Sequence, residues 1–82
     1  MKLTLGNKIK LLRVREHLTQ KQLAAQMGVT PQAASKWEND WAYPDILSLP
    51  NLSRILHISL DDLFSDDEAL LVGDMRLEKI SG

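Results

Sequence analysis

Two helix-start signals bracket a glycine between Thr19 and Asn39, and few folds accommodate that order of local signals. Thr19-Gln20-Lys21-Gln22 matches a capping box, in which the Thr hydroxyl accepts a backbone N–H and the residue three places later reaches back. Leu23, Ala24 and Met27 then form an inner helical face. Gly28 follows, where positive φ lets the chain turn sharply, and Val29 plugs the turn. Thr30 suits the cap of a second helix and Pro31 its first turn, where no intrahelical donor is missed. Two helices joined by a turn of about three or four residues and crossing steeply must approach closely at one point, and Ala24 and Ala34 are the small residues for it. Ala34 and Trp37 share one side of the second helix, while Gln32, Ser35, Lys36 and Asn39 share the other. The outer side gathers two amides, a hydroxyl and an ammonium, the groups that contact base edges and phosphates. Periodicity alone is equally satisfied by a plain solvated face.

The flanks are helical as well. Leu5, Ile9 and Leu12 recur at helical spacing over 5–16, with Lys8, Lys10, Arg15 and Glu16 mostly outward and His17-Leu18 ending the helix. A helix is expected over 48–56, with Ser48 as a possible cap, Pro50 in the first turn, and Leu49, Leu52, Ile55 and Leu56 in the core. Ser59-Leu60-Asp61-Asp62 repeats the start signal for a short helix over 60–64, its acidic residues suiting the positive end of the helix dipole. His17 and His57 read as turn and surface residues, since no motif ties a carboxylate or nucleophile to either.

Composition narrows the functional classes. Eighty-two residues, 44% of them hydrophobic, fit one small domain with a modest core. There is no cysteine and there are two isolated histidines, so no metal site is expected, and neither is a cofactor. No apolar run nears the roughly 20 residues that span a bilayer, and the N-terminus lacks a signal-peptide pattern, so the chain is expected to be cytoplasmic and not at a membrane. No nucleophile–base pair or phosphate-cradling glycine loop suggests an enzyme. Residues 1–40 hold seven Lys or Arg against three Asp or Glu, a balance of +4, and residues 41–82 hold three against eight, a balance of −5. Such asymmetry fits a basic interaction surface backed by an acidic side, although chance segregation of solvated charge produces it too.

The stretch TQKQLAAQMGVTPQAASKWEN, Thr19–Asn39, resembles the helix-turn-helix of the Cro and phage-repressor class, the xenobiotic-response-element group of regulators. The resemblance extends from Leu12-Arg13 through Pro44-Asp45 and Leu49-Pro50-Asn51-Leu52 to Ile58-Ser59-Leu60-Asp61-Asp62-Leu63, nearly everything up to Phe64. It implies an all-α, compact five-helix lambda-repressor-like domain over 1–64. It also implies sequence-specific binding of double-stranded operator DNA by a transcriptional regulator, of the repressor type, acting as a homodimer on two half-sites. Position by position, Gln20 matches a phosphate contact, Pro31, Gln32, Ser35 and Lys36 match base-facing positions, and Asn39 matches another backbone contact. Pro31 departs from the polar residues common at its position and offers only van der Waals contact. Lys21 is expected to strengthen binding to any sequence, and Arg13 and Glu38 stand where the family has an ion pair tying the reading helix to its scaffold.

The loop Asp40-Trp41-Ala42-Tyr43-Pro44 lacks the Gly and basic residues usual in relatives, which weakens the expected phosphate grip. Trp41 and Tyr43 either lie against the DNA backbone or pack onto the neighbouring helix. The tail 65–82 is acidic at its start yet rich in apolar residues. It folds back, pairs with a partner chain, or leads into a further effector domain. Leu60, Phe64, Leu70, Leu71 and Val72 are the expected apolar contacts of a dimer built on this side. A protein-interaction or antitoxin-type module using the same fold is the alternative function.

Overall fold

The computed structural model describes residues 3–65. Its elements run α1 (Leu5–Arg15), α2 (Gln20–Met27), α3 (Pro31–Glu38), a 3-10 turn (Ile46–Ser48), α4 (Leu49–Ile55) and α5 (Leu60–Leu63), with no strand among the described residues. The fold is all-α with five helices, as the sequence predicts. Local capping explains where they start. Thr4, Thr19, Thr30 and Ser59 each stand in extended backbone and accept a first-turn N–H through the side-chain oxygen. At Thr19 the box is reciprocal, with Gln22 N donating to Thr19 Oγ1 at 3.0 Å and Thr19 N donating to Gln22 Oε1 at 2.8 Å. Replacing such a cap with Ala typically costs about 1 kcal/mol.

The helix ends share one device. After each of α1 to α4 a residue takes positive φ: His17 at 60°, Gly28 at 71°, Asp40 at 59° and His57 at 53°. In each case the next N–H turns back to a carbonyl in the last turn: Leu18 to Arg13, Val29 to Ala24, Trp41 to Lys36 and Ile58 to Ser53. This pattern satisfies carbonyls that the helix leaves open. Outside glycine, His and Asp are among the residue types enriched in this region of backbone space.

Ile9, Leu12, Leu23, Ala24, Met27, Ala34, Trp37, Leu52, Leu56 and Leu63 form one buried core, with Val29, Leu49, Ile55 and Ile58 packed against it. Fully burying a side chain such as Leu23 contributes about 1.5–3 kcal/mol. Both predicted small contact residues, Ala24 and Ala34, are buried between the paired helices α2 and α3.

Two charged residues of α1 depart from the outward placement expected for them. Lys8 is 6% exposed, and its ammonium donates to the carbonyls of Leu63 and Ser65. Arg15 is half-buried, donating through Nη2 to Leu56 O at 2.7 Å and His57 O at 3.2 Å. Each fastens α1 to chain that arrives much later, satisfying carbonyls left open at helix ends. Ser48 makes no cap either. It lies in helical backbone because the 3-10 turn runs directly into α4, so a cap geometry does not arise. His57 is a surface residue that also meets Glu16, Nδ1 to Oε1 at 2.7 Å. The tail beyond Ser65, with the expected contacts Leu70, Leu71 and Val72, lies outside the described residues.

Candidate nucleic-acid interface

α3 carries the site, and its geometry follows from its inner face. Ala34, Trp37 and Glu38 are buried, whereas Pro31, Gln32, Lys36 and Asn39 are exposed and Ser35 is half-buried. Among the described residues, Gln32 and Lys36 have no side-chain hydrogen bond or ion pair, so both are available to a ligand. Asn39 is partly engaged, its Nδ2 donating to Ser35 O at 2.9 Å and Ser35 Oγ at 3.4 Å. That contact closes the last turn of the helix.

A buried polar cluster fixes how α3 sits. Arg13 Nε donates to Glu38 Oε2 at 2.5 Å and Nη2 to Glu38 Oε1 at 3.1 Å, a two-point contact, while Nη1 donates to Leu18 O at 2.7 Å. Gln20 Nε2 donates to Glu38 Oε1 at 3.0 Å. With side-chain exposures of 12% for Arg13 and 2% for Glu38, the pair sits largely out of water. Its desolvation offsets much of the attraction, so the cluster orients α3 on α1 and α2 more than it adds net stability. Gln20 therefore meets Glu38 at the entrance of α2, beside the first-turn N–H groups that any helix leaves open. Lys21 is exposed on the same turn.

A second tie joins the end of α3 to the start of α1, and it went unread in the sequence. Asp40 accepts from Thr4 Oγ1 at 2.6 Å and from Gly6 N at 2.9 Å, placing a carboxylate at the positive end of the α1 dipole. Gly6 lets the two elements meet: a Cβ there would stand 2.4 Å from Trp37 O and 2.8 Å from Glu38 O. No local pattern marks that glycine. For Lys8 a signal existed, since it lies three residues after Leu5 and four before Leu12, on the edge of the apolar stripe.

The loop after α3 settles one alternative. Trp41 and Tyr43 are both exposed, so packing of these side chains onto the neighbouring helix is not what the chain does. The charge balance of residues 1–40 also overstates the basic surface. Lys8, Arg13 and Arg15 are engaged within the fold, which leaves Lys10, Lys21 and Lys36 as the exposed cations among the described residues of that half. Two of these, Lys21 and Lys36, belong to α2 and α3.

A family model described as Helix-turn-helix matches residues 9–63, spanning all of α2 and α3 and most of the core. The chain belongs to the helix-turn-helix family. Among curated helix-turn-helix relatives, the transcriptional activator BcrR of Enterococcus faecalis is 36% identical over 69 residues, covering 84% of this chain and 34% of that protein. The regulator ImmR of Bacillus subtilis is 32% identical over 66 residues, covering 80% of this chain and 52% of its own length. The chain thus spans about a third to a half of these two relatives. In fold it is similar to the P22 c2 repressor, solved in complex with a synthetic operator, with a TM-score of 0.73 and 31% identity over 79% of this chain and 98% of that one.

Proposed function

We propose that this chain is the DNA-binding part of a transcriptional regulator of the repressor type, reading double-stranded DNA in the major groove with the outer face of α3. The observation that carries this reading is the polar face of α3. It has Gln32 and Lys36 unengaged, and it is held rigid from beneath by Arg13, Glu38 and Gln20. Support comes from the similarity to a repressor solved on its operator. Gln32 pairs with adenine through N6 and N7, Lys36 donates to guanine O6 or N7, and Pro31 touches a thymine methyl, with Ser35 beside them. Gln20 and Lys21 at the start of α2, Asn39 at the end of α3, and Tyr43 beyond it meet the sugar-phosphate backbone, which positions the reader without specifying sequence.

One α3 reads only a few base pairs, so the operator is read by a homodimer on two half-sites about 34 Å apart. The protein works in the cytoplasm, without enzymatic activity or cofactor. No helix among the described residues is long and apolar enough to cross a membrane, and no group of three or more His, Cys, Asp or Glu stands close enough to hold a metal there. Residues 1–64 form the binding domain, and 65–82 are a dimerisation segment or a link to a further domain. The experiment is selection of bound duplexes from a random library. A recovered motif with two-fold symmetry is expected, and Lys21→Ala should then weaken binding to all duplexes alike while lowering the salt dependence by about one counterion. Recovery of no motif, with a protein partner captured by the same α3 face, would favour the interaction-module reading.

A further inference from the structure

The side of α1 turned away from Ile9 and Leu12 is not a plain solvated face. Asn7, Lys10, Leu11 and Val14 recur there at helical spacing, and with Leu3 they line a groove of about 310 Å³. Leu3 and Leu11 are half-buried, packed against the core, and Val14 is 55% exposed. Lys10 is exposed and has no side-chain hydrogen bond or ion pair among the described residues. The groove therefore offers three apolar side chains and one unengaged ammonium, none of which serves the reading of DNA by α3. Apolar surface gathered in this way is stabilised when a partner takes it out of water.

The chain carries a matching occupant close by. Lys8, on the same helix, donates to the carbonyls of Leu63 and Ser65, so the last described residue leaves the domain beside α1. Leu11 lies three residues after Lys8 and is its neighbour on the helix surface, which puts this exit at the edge of the groove. Asp66, Asp67 and Glu68 span at most about 10 Å, the diameter of a helix with its side chains, enough to carry the residues after them onto the outer side of α1. Those residues include Leu70, Leu71, Val72, Met75, Leu77 and Ile80. Charge agrees with the placement, since residues 66–82 hold five Asp or Glu against two Lys or Arg, a balance of −3 opposite Lys10. A short tether also presents the segment at an effective concentration on the order of millimolar, so a contact too weak to hold a free peptide suffices.

We propose that residues 69–80 dock in the outer groove of α1 of their own chain, with Lys10 facing their acidic side chains and Leu3, Leu11 and Val14 their apolar ones. This is the placement of a link and not of a dimerisation segment, and it holds whether or not α3 reads DNA. Because the sequence has no cysteine, Ser81→Cys in the full chain gives a single site for a nitroxide spin label. The backbone amide NMR signals of Lys10, Leu11 and Val14 should then lose most of their intensity, more than those of Leu60 and Phe64 on α5. Lys10→Glu/Val14→Glu in the groove, and Leu70→Ser/Leu71→Ser in the tail, should each restore the α1 signals while circular dichroism shows the helix content kept. In a mixture where one chain carries the spin label and another the isotope, the loss should disappear. A loss centred on α5, a domain with no loss at all, or α1 signals that neither pair restores would overturn the proposal. So would a loss that persists undiminished in the mixture, because the segment would then be covering a second copy.

Discussion

The ends of α2 and α3 have the same backbone and different consequences. At α2, Gly28 turns the chain, a Cβ added to it would meet nothing within 4 Å, and Val29 closes onto the core. At α3, Asp40 makes the same turn at a φ of 59°, but its carboxylate grips Thr4 and the N-terminus of α1, and Trp41 points into water. The first turn serves only the connection between two helices. The second fastens the reading helix to the scaffold and presents an apolar side chain outward. A backbone motif therefore does not fix what a turn contributes; the side chain at its left-handed position does.

If α3 is tied down at its end, removing Glu38 or crowding the contact at Gly6 should cost more than a change at Gly28. The largest loss is expected from Glu38→Ala, which leaves a nearly buried Arg13 and the Gln20 amide without their acceptor. About 3–5 kcal/mol of stability should disappear in urea titrations. The Arg13→Ala/Glu38→Ala double mutant should then lose less in total than the sum of the two single losses. Strict additivity would mean that the pair does not act as a unit. Next comes Gly6→Ala, where the new Cβ crowds the backbone carbonyls of Trp37 and Glu38, for about 1–3 kcal/mol. A neutral Gly6→Ala would show that α1 and α3 can separate freely at this point. The finest contrast is Asp40→Gly against Gly28→Ala. Gly28→Ala should cost about 1 kcal/mol through backbone strain alone. Asp40→Gly relieves strain yet forfeits two hydrogen bonds of about 1 kcal/mol each, so a net loss near 1 kcal/mol is expected. An Asp40→Gly protein as stable as wild type would reduce the tie to α1 to a surface contact.

Much of the fold was legible because its signals are local. Thr19, Gly28, Thr30 and Pro31 mark helix ends by chemistry within a few residues, and the polarity split of α3 needs only its own periodicity. The hidden part depends on distant chain. The acceptors of Lys8 and Arg15 are carbonyls in or beside α4 and α5, so counting charges placed both on the surface and exaggerated the basic face. Asp40 read as a weakened phosphate grip, since nothing near it in sequence reveals Thr4 and Gly6 as its partners. His17, Asp40 and His57 each end a helix as Gly28 does, but outside glycine a left-handed residue leaves little trace in sequence. Ser48 looked like a cap because nothing local shows that it is the last residue of a 3-10 turn, Ile46–Ser48, that runs straight into α4.

Base reading by the outer face of α3 is tested most directly by titrating wild type and Gln32→Ala against the selected operator and a scrambled duplex of the same length and composition at one salt concentration. Gln32 is exposed and its side chain makes no hydrogen bond among the described residues, so the substitution should leave the fold intact. Operator affinity should fall by about 1–3 kcal/mol and preference at one base step should relax, with binding to the scrambled duplex unchanged. Equal losses on both duplexes would contradict direct readout by Gln32 and reduce α3 to a helix that only rests on the backbone.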